Sequence, residues 1–98
     1  MNRQFADQLR AGVAQVQCRP RGSSMLPKIK SGQLVTISSD ISDLHKGDIV
    51  FAKVKGKYYI HLLTAIQGER YQISNNHGFV NGWIGQNGLF GKVIKVED

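Results

Sequence analysis

The stretch Arg21-Gly-Ser-Ser-Met-Leu-Pro27, continued by Lys28-Ile-Lys-Ser-Gly32, holds the residues best suited to chemistry. Gly22 and Pro27 bracket a constrained turn, the first free in backbone conformation and the second fixed in φ. Such a turn can hold a serine exposed while Met25 packs inward beneath it. A serine hydroxyl is inert until a base takes its proton, so a histidine or lysine must arrive from elsewhere in the fold. His61 is the candidate base, and the chemistry would be nucleophilic attack on an acyl carbon. His45, His61 and His77 do not make a metal set, because neither close spacing nor a carboxylate accompanies them. Neither a metal nor another cofactor is expected.

The elements that must position these residues divide at Pro20. Before it, Phe5, Leu9, Val13 and Val16 recur at helical steps, and Asn2–Gln17 reads as a short amphipathic helix. Its stripe either packs on the helix's own domain, the favoured reading, or docks a partner, a dimer through the helix among the options. The expected division is residues 1–20 as helix and lead-in and residues 21–98 as a β-domain. Beyond Pro20, strands are expected at Gln33–Ser38, Ile49–Val54, Lys57–Ile66, Tyr71–Ser74, Trp83-Ile84 and Leu89–Val96.

Lys55-Gly56 is a two-residue hairpin signal, and it sets a register. Val54 then faces Lys57, Lys53 faces Tyr58, Ala52 faces Tyr59, Phe51 faces Ile60, and Val50 faces His61. Alternation puts Ile49, Phe51, Ile60 and Leu62 on a core face. Val50, Ala52, Tyr59, His61 and Leu63 share the opposite face, from which His61 projects.

The 98-residue length fits one domain with a thin core. Hydrophobic residues at 41% and charged residues at 20% are globular values. No run reaches the roughly 18 apolar residues that a membrane span needs, and the N-terminus lacks the pattern of a secretory signal. The single cysteine, Cys18, excludes an intramolecular disulfide and a cysteine-based zinc site. The cytoplasm is the expected compartment. A net charge of +6 raises the question of nucleic acid. The 13 basic residues are scattered, however, and only Lys53-Val-Lys55-Gly-Lys57 is dense. Without an arginine-rich arm or an aromatic RNP-like run, charge alone supports that reading, and specific nucleic-acid recognition is not expected.

Several segments in order resemble a known family. Gly22-x-Ser24-Met25-x-Pro27, Gly32, Lys46-Gly47-Asp48-Ile49-Val50, Tyr59-Ile60-His61 and Gly91-Lys92-Val93 together resemble the signal peptidase I superfamily, which includes the LexA-type self-cleaving repressors. The resemblance covers about three-quarters of the chain, from Arg21 to Val96. It implies a mainly β, coiled antiparallel fold of the signal peptidase and LexA C-terminal type, here with a short N-terminal helix. It also implies a serine peptidase, with Ser24 at the nucleophile position. His61 stands at the base position, which is Lys in bacterial leader peptidases and His in the endoplasmic-reticulum and archaeal type. The Ser24 main-chain N–H is then the oxyanion donor.

The candidate oxyanion and substrate-binding set is Ser23, Ser24, Met25, Asn75 and Asn76. Ser23 either positions a substrate carbonyl or is simply a polar turn residue. Asn75, Asn76 and His77 either order the site or form Asx-turns, with turns slightly favoured. The chain departs from the family where Arg usually follows the base, since Leu62 stands there. Ser74-Asn75-Asn76-His77 replaces Gly-Asp-Asn-Asn, and Asn81 follows where the membrane enzymes carry an Asp. Glu69 is the one acidic residue from Ile49 to Val96, so no carboxylate is evident behind His61. The expected function is a small peptidase with a Ser24/His61 dyad that cleaves, or self-processes, a peptide bond after a small residue. The alternative is a catalytically impaired peptidase fold that holds a peptide or partner protein.

Overall fold

The computed structural model describes residues 2–98. Helix α1 (Asn2–Arg10) is followed by strands β1 (Gln15–Cys18), β2 (Leu34–Ser38), β3 (Ile49–Val54), β4 (Lys57–Gln67), β5 (Arg70–Ser74), β6 (Val80–Gly85) and β7 (Leu89–Glu97). A single turn of 3-10 helix, Gln86–Gly88, joins β6 to β7. The strands form one antiparallel sheet in the order β1-β2-β7-β3-β4-β5-β6. The fold is therefore mainly β, as expected. No helix among the described residues is long and apolar enough to cross a membrane.

The expected helix over Asn2–Gln17 is corrected by the structure. The helix stops at Arg10, the Gly12 N–H bonds the Leu9 carbonyl, and Gly12 takes φ +106°. That left-handed geometry is a helix terminator that glycine adopts without a Cβ clash. Beyond it, apolar residues fall two apart rather than three or four. Val16 and Cys18 turn inward from β1, Gln15 and Gln17 turn outward, and β1 pairs with β2 from Gln15↔Ser38 to Cys18↔Val35. Val13, expected in the helical stripe, lies exposed in the connection. Within α1, Ala6 and Leu9 are buried in the core of the same chain.

The hairpin follows the expected register pair for pair, from Val54↔Lys57 to Val50↔His61 and on to Ile49↔Leu62. Its turn has Lys55 at φ +51° and Gly56 at φ +85°. Two successive positive values match the handedness of a two-residue turn to the twist of the strands. The Phe51 face is a core, with Ile49, Tyr58, Ile60 and Leu62 packed against Val35, Ile37 and Phe90. The opposite face is a second core. There Val50, Ala52 and Val54 meet Leu63, Ile73, Ile84 and Leu89. Strand β3 is thus covered on both sides, which its nearly unbroken apolar run, IVFAKV, requires. On its other side the backbone of β7 approaches β2 closely: a Cβ at Gly91 would lie 2.5 Å from Ile37 Cγ2 and 2.6 Å from the Ser38 carbonyl oxygen.

Candidate active site

The serine loop is tied at its base, where the Gly32 N–H bonds the Pro20 carbonyl at 2.9 Å and Arg19 bonds the Gly32 carbonyl. Gly22 takes φ +113° and donates its N–H to Ser31 Oγ. Met25 and Ile29 anchor the loop in the first core, and the Ile29 N–H bonds the Met25 carbonyl. Met25 packs inward, as expected, and Ser24 is left partly exposed above it.

Ser24 Oγ lies 3.1 Å from His61 Nε2, and His61 Nδ1 lies 2.7 Å from Asn81 Oδ1. The amide oxygen can only accept, so Nδ1 carries the imidazole proton. That leaves the Nε2 lone pair facing the serine, which is the tautomer a general base needs. The Tyr59 ring packs on the imidazole with centroids 4.7 Å apart, and His61 is buried. Burial pushes its pKa below the ordinary imidazole value, and the Asn81 hydrogen bond partly opposes that shift.

The loop between β5 and β6 clamps the serine turn. The Asn76 N–H donates to the Ser24 carbonyl at 2.9 Å, and Asn76 Nδ2 donates to the Leu26 carbonyl at 2.8 Å. His77 Nε2 donates to the Ser23 carbonyl at 2.9 Å. Asn75 makes an Asx-type turn within its own loop, its Oδ1 accepting from the N–H groups of His77 and Phe79. Asn75 and Asn76 therefore contact the loop and the serine turn. Ser23 presents a carbonyl already engaged by His77 and by the Leu26 N–H. The Ser23 C=O and the Ser24 N–H belong to one planar trans peptide and point in opposite directions. Holding the carbonyl consequently fixes where the Ser24 N–H points. Among the described residues that N–H has no hydrogen-bond acceptor.

An open groove of ≈440 Å³ runs beside the pair, lined by Cys18, Pro20, Gly22, Met25, Tyr58 and Ile60, among others. The Cys18 thiol is buried there, and burial raises its pKa. Strand β5 joins β4 only from Leu62 onward, so the outer edge of Lys57–His61 has no strand beside it among the described residues. In the hairpin register, Val54↔Lys57, Ala52↔Tyr59 and Val50↔His61 are the pairs that exchange hydrogen bonds. The N–H and C=O groups of Tyr58 and Ile60 therefore point outward, into the groove.

The chain matches the Peptidase S24-like family over residues 5–92. It belongs to that family. A comparison with curated proteins finds no match. For this S24-like chain, the match spans the serine loop, all three histidines and Asn81. Leu62, where Arg usually follows the base, pairs with Ile49 and Ser74 and packs against the first core. Asn81 is the site residue whose part the sequence left unassigned. Its position, where a later Asp stands in the membrane enzymes, was the available signal.

The remaining histidines are engaged separately. His45 lies 3.4 Å from Asp43 at the surface, and His77 holds the Ser23 carbonyl. Among the described residues no cluster of three or more His, Cys, Asp or Glu could hold a metal.

Proposed function

We propose that this S24-like protein is a serine peptidase working through a Ser24–His61–Asn81 relay. The observation that carries this reading is the continuous chain of hydrogen bonds from Ser24 Oγ through His61 to Asn81. Ser24 Oγ attacks the carbonyl carbon of the scissile bond while His61 Nε2 takes its proton. The Ser24 N–H, unpaired and oriented by its fixed peptide plane, donates to the oxyanion. His61 then passes the proton to the leaving amine, releasing the C-terminal part of the substrate from an acyl-serine. Water, deprotonated by the same imidazole, hydrolyses that ester. The buried histidine stays neutral at neutral pH and is ready to accept the proton.

Asn81 supplies orientation and a dipole where an aspartate would supply a full charge. The same part is played by asparagine in Cys-His-Asn peptidases. Its imidazolium is therefore less stabilised than one facing a carboxylate, and turnover is slow. The substrate lies extended in the groove as an added strand, hydrogen-bonding the outward groups of Tyr58 and Ile60. By the family resemblance, the residue before the cleaved bond is small, and the substrate is a peptide, a protein or this chain itself. The test is cleavage of leader-type peptides by wild type, Ser24→Ala and His61→Ala. The reading requires cleavage by wild type, none by Ser24→Ala and a severe loss in His61→Ala. Equal cleavage by all three would end it.

A further inference from the structure

A second groove of ≈770 Å³ lies between α1, the β3–β4 hairpin and the Gln86–Gly88 turn. Arg3, Arg10 and Lys53 line it, with Asp7 as the carboxylate among them. Lys55 and Lys57 flank it on the hairpin tip beside Gly56. Two of the lining cations are held by aromatic rings, and among the described residues no carboxylate pairs with either. The Arg10 guanidinium lies 4.6 Å from the Phe90 centroid and donates to the Asn87 carbonyl. Lys53 Nζ lies 5.2 Å from the Tyr58 centroid. The Arg3–Asp7 pair is long, at 4.0 Å, and both side chains are exposed. The groove is therefore preorganised and positive, and a guanidinium has further N–H donors beyond the one given to Asn87.

Tyr58 lines both this groove and the catalytic groove. A strand added along the free edge of β4 runs from His61 past Tyr58 towards the hairpin tip. At about 3.3 Å per residue, those three steps cover about 10 Å. We propose that the basic groove is an exosite for an acidic stretch of the polypeptide substrate, beginning about four residues from the cleaved bond. This rests on the peptidase reading for the word substrate, while the binding itself does not depend on it. A single-stranded nucleic acid suits the groove less well. Bases need exposed ring faces to stack on, and here Arg10 covers Phe90 and Lys53 covers Tyr58.

The test uses the full chain carrying Ser24→Ala and two fluorescein-labelled alanine-based peptides, one with a block of four glutamates and the other with glutamines there. The glutamate peptide is expected to bind about tenfold tighter, as a few surface ion pairs together allow, and to lose that margin as salt rises. Adding Arg3→Gln and Lys53→Gln should bring the two peptides level, with thermal unfolding checking that the fold is kept. Equal affinity of both peptides for the Ser24→Ala chain would overturn the exosite. So would tighter binding of a labelled oligothymidylate that depends on the same two cations. Phosphonate labelling of Ser24, measured in parallel on chains that retain it, separates the two ideas. Labelling without glutamate preference removes the exosite alone, and glutamate preference without labelling removes the peptidase reading alone.

Discussion

Asn81 Oδ1 accepts a 2.7 Å hydrogen bond from His61 Nδ1, and this bond decides which nitrogen of the imidazole is basic. An amide held in that orientation selects the tautomer without adding charge. Replacing it separates orientation from charge. Asn81→Ala should lower the rate of Ser24 acylation at least tenfold, since the ring loses its anchor. Asn81→Asp should move the midpoint of the pH–rate profile upward by about one unit or more, because a carboxylate favours the imidazolium. A profile unchanged by both variants would remove Asn81 from the mechanism.

His61 also links folding to pH. Its folded pKa is lowered by burial, so the unfolded chain binds this proton more readily than the folded one. The contribution of His61 to stability is therefore full above its ordinary value of about 6.5 and is lost as pH falls through the depressed folded pKa. Urea titrations across that window should show wild type weakening towards acid more steeply than His61→Gln.

His77 Nε2 holds the Ser23 carbonyl, and in the proposed mechanism this fixes the direction of the Ser24 N–H that donates to the oxyanion. His77→Phe removes the Nε2 donor and should lower kcat about tenfold with little change in KM, a fraction of what losing an oxyanion donor costs. His77→Gln keeps a donor and should recover part of the loss. Matching losses in the two variants, or a change confined to KM, would argue against this role.

Gly91→Ala tests the closeness of β7 to β2. The added methyl would meet Ile37 Cγ2 and the Ser38 carbonyl oxygen, a backbone atom that cannot turn aside. Overpacking of this kind costs about 1–3 kcal/mol, readable as a lowered urea midpoint with little change in slope.

Much of the architecture is legible in the chain for local reasons. The hairpin register follows from a two-residue turn and the alternation of the strands, and so it places His61 opposite Val50 without any long-range information. The spacing of Val13 and Val16 from Leu9 extends the helical pattern past its true end, whereas Gly12 ends the helix at a left-handed turn and the Val16–Cys18 alternation belongs to β1. The second core is not legible from the hairpin alone, because the residues that cover its Val50 face, Ile73, Ile84 and Leu89, come from later strands. Asn81 could be seen as a substitution, but its contact with His61 depends on how β6 is placed across β5, a non-local arrangement. The same holds for the clamp of Asn76 and His77 on a turn some fifty residues away.

The most direct test of the account is the pH dependence of Ser24 labelling by a fluorophosphonate, located by peptide mass spectrometry. Labelling should fall on Ser24 alone and rise with pH through a midpoint below about 6.5, the ordinary imidazole value. It should vanish in Ser24→Ala and be severely reduced in His61→Ala. Labelling of Ser24 that proceeds equally well without His61, or no labelling of wild type between pH 6 and 9, would contradict the claim that His61 activates this serine.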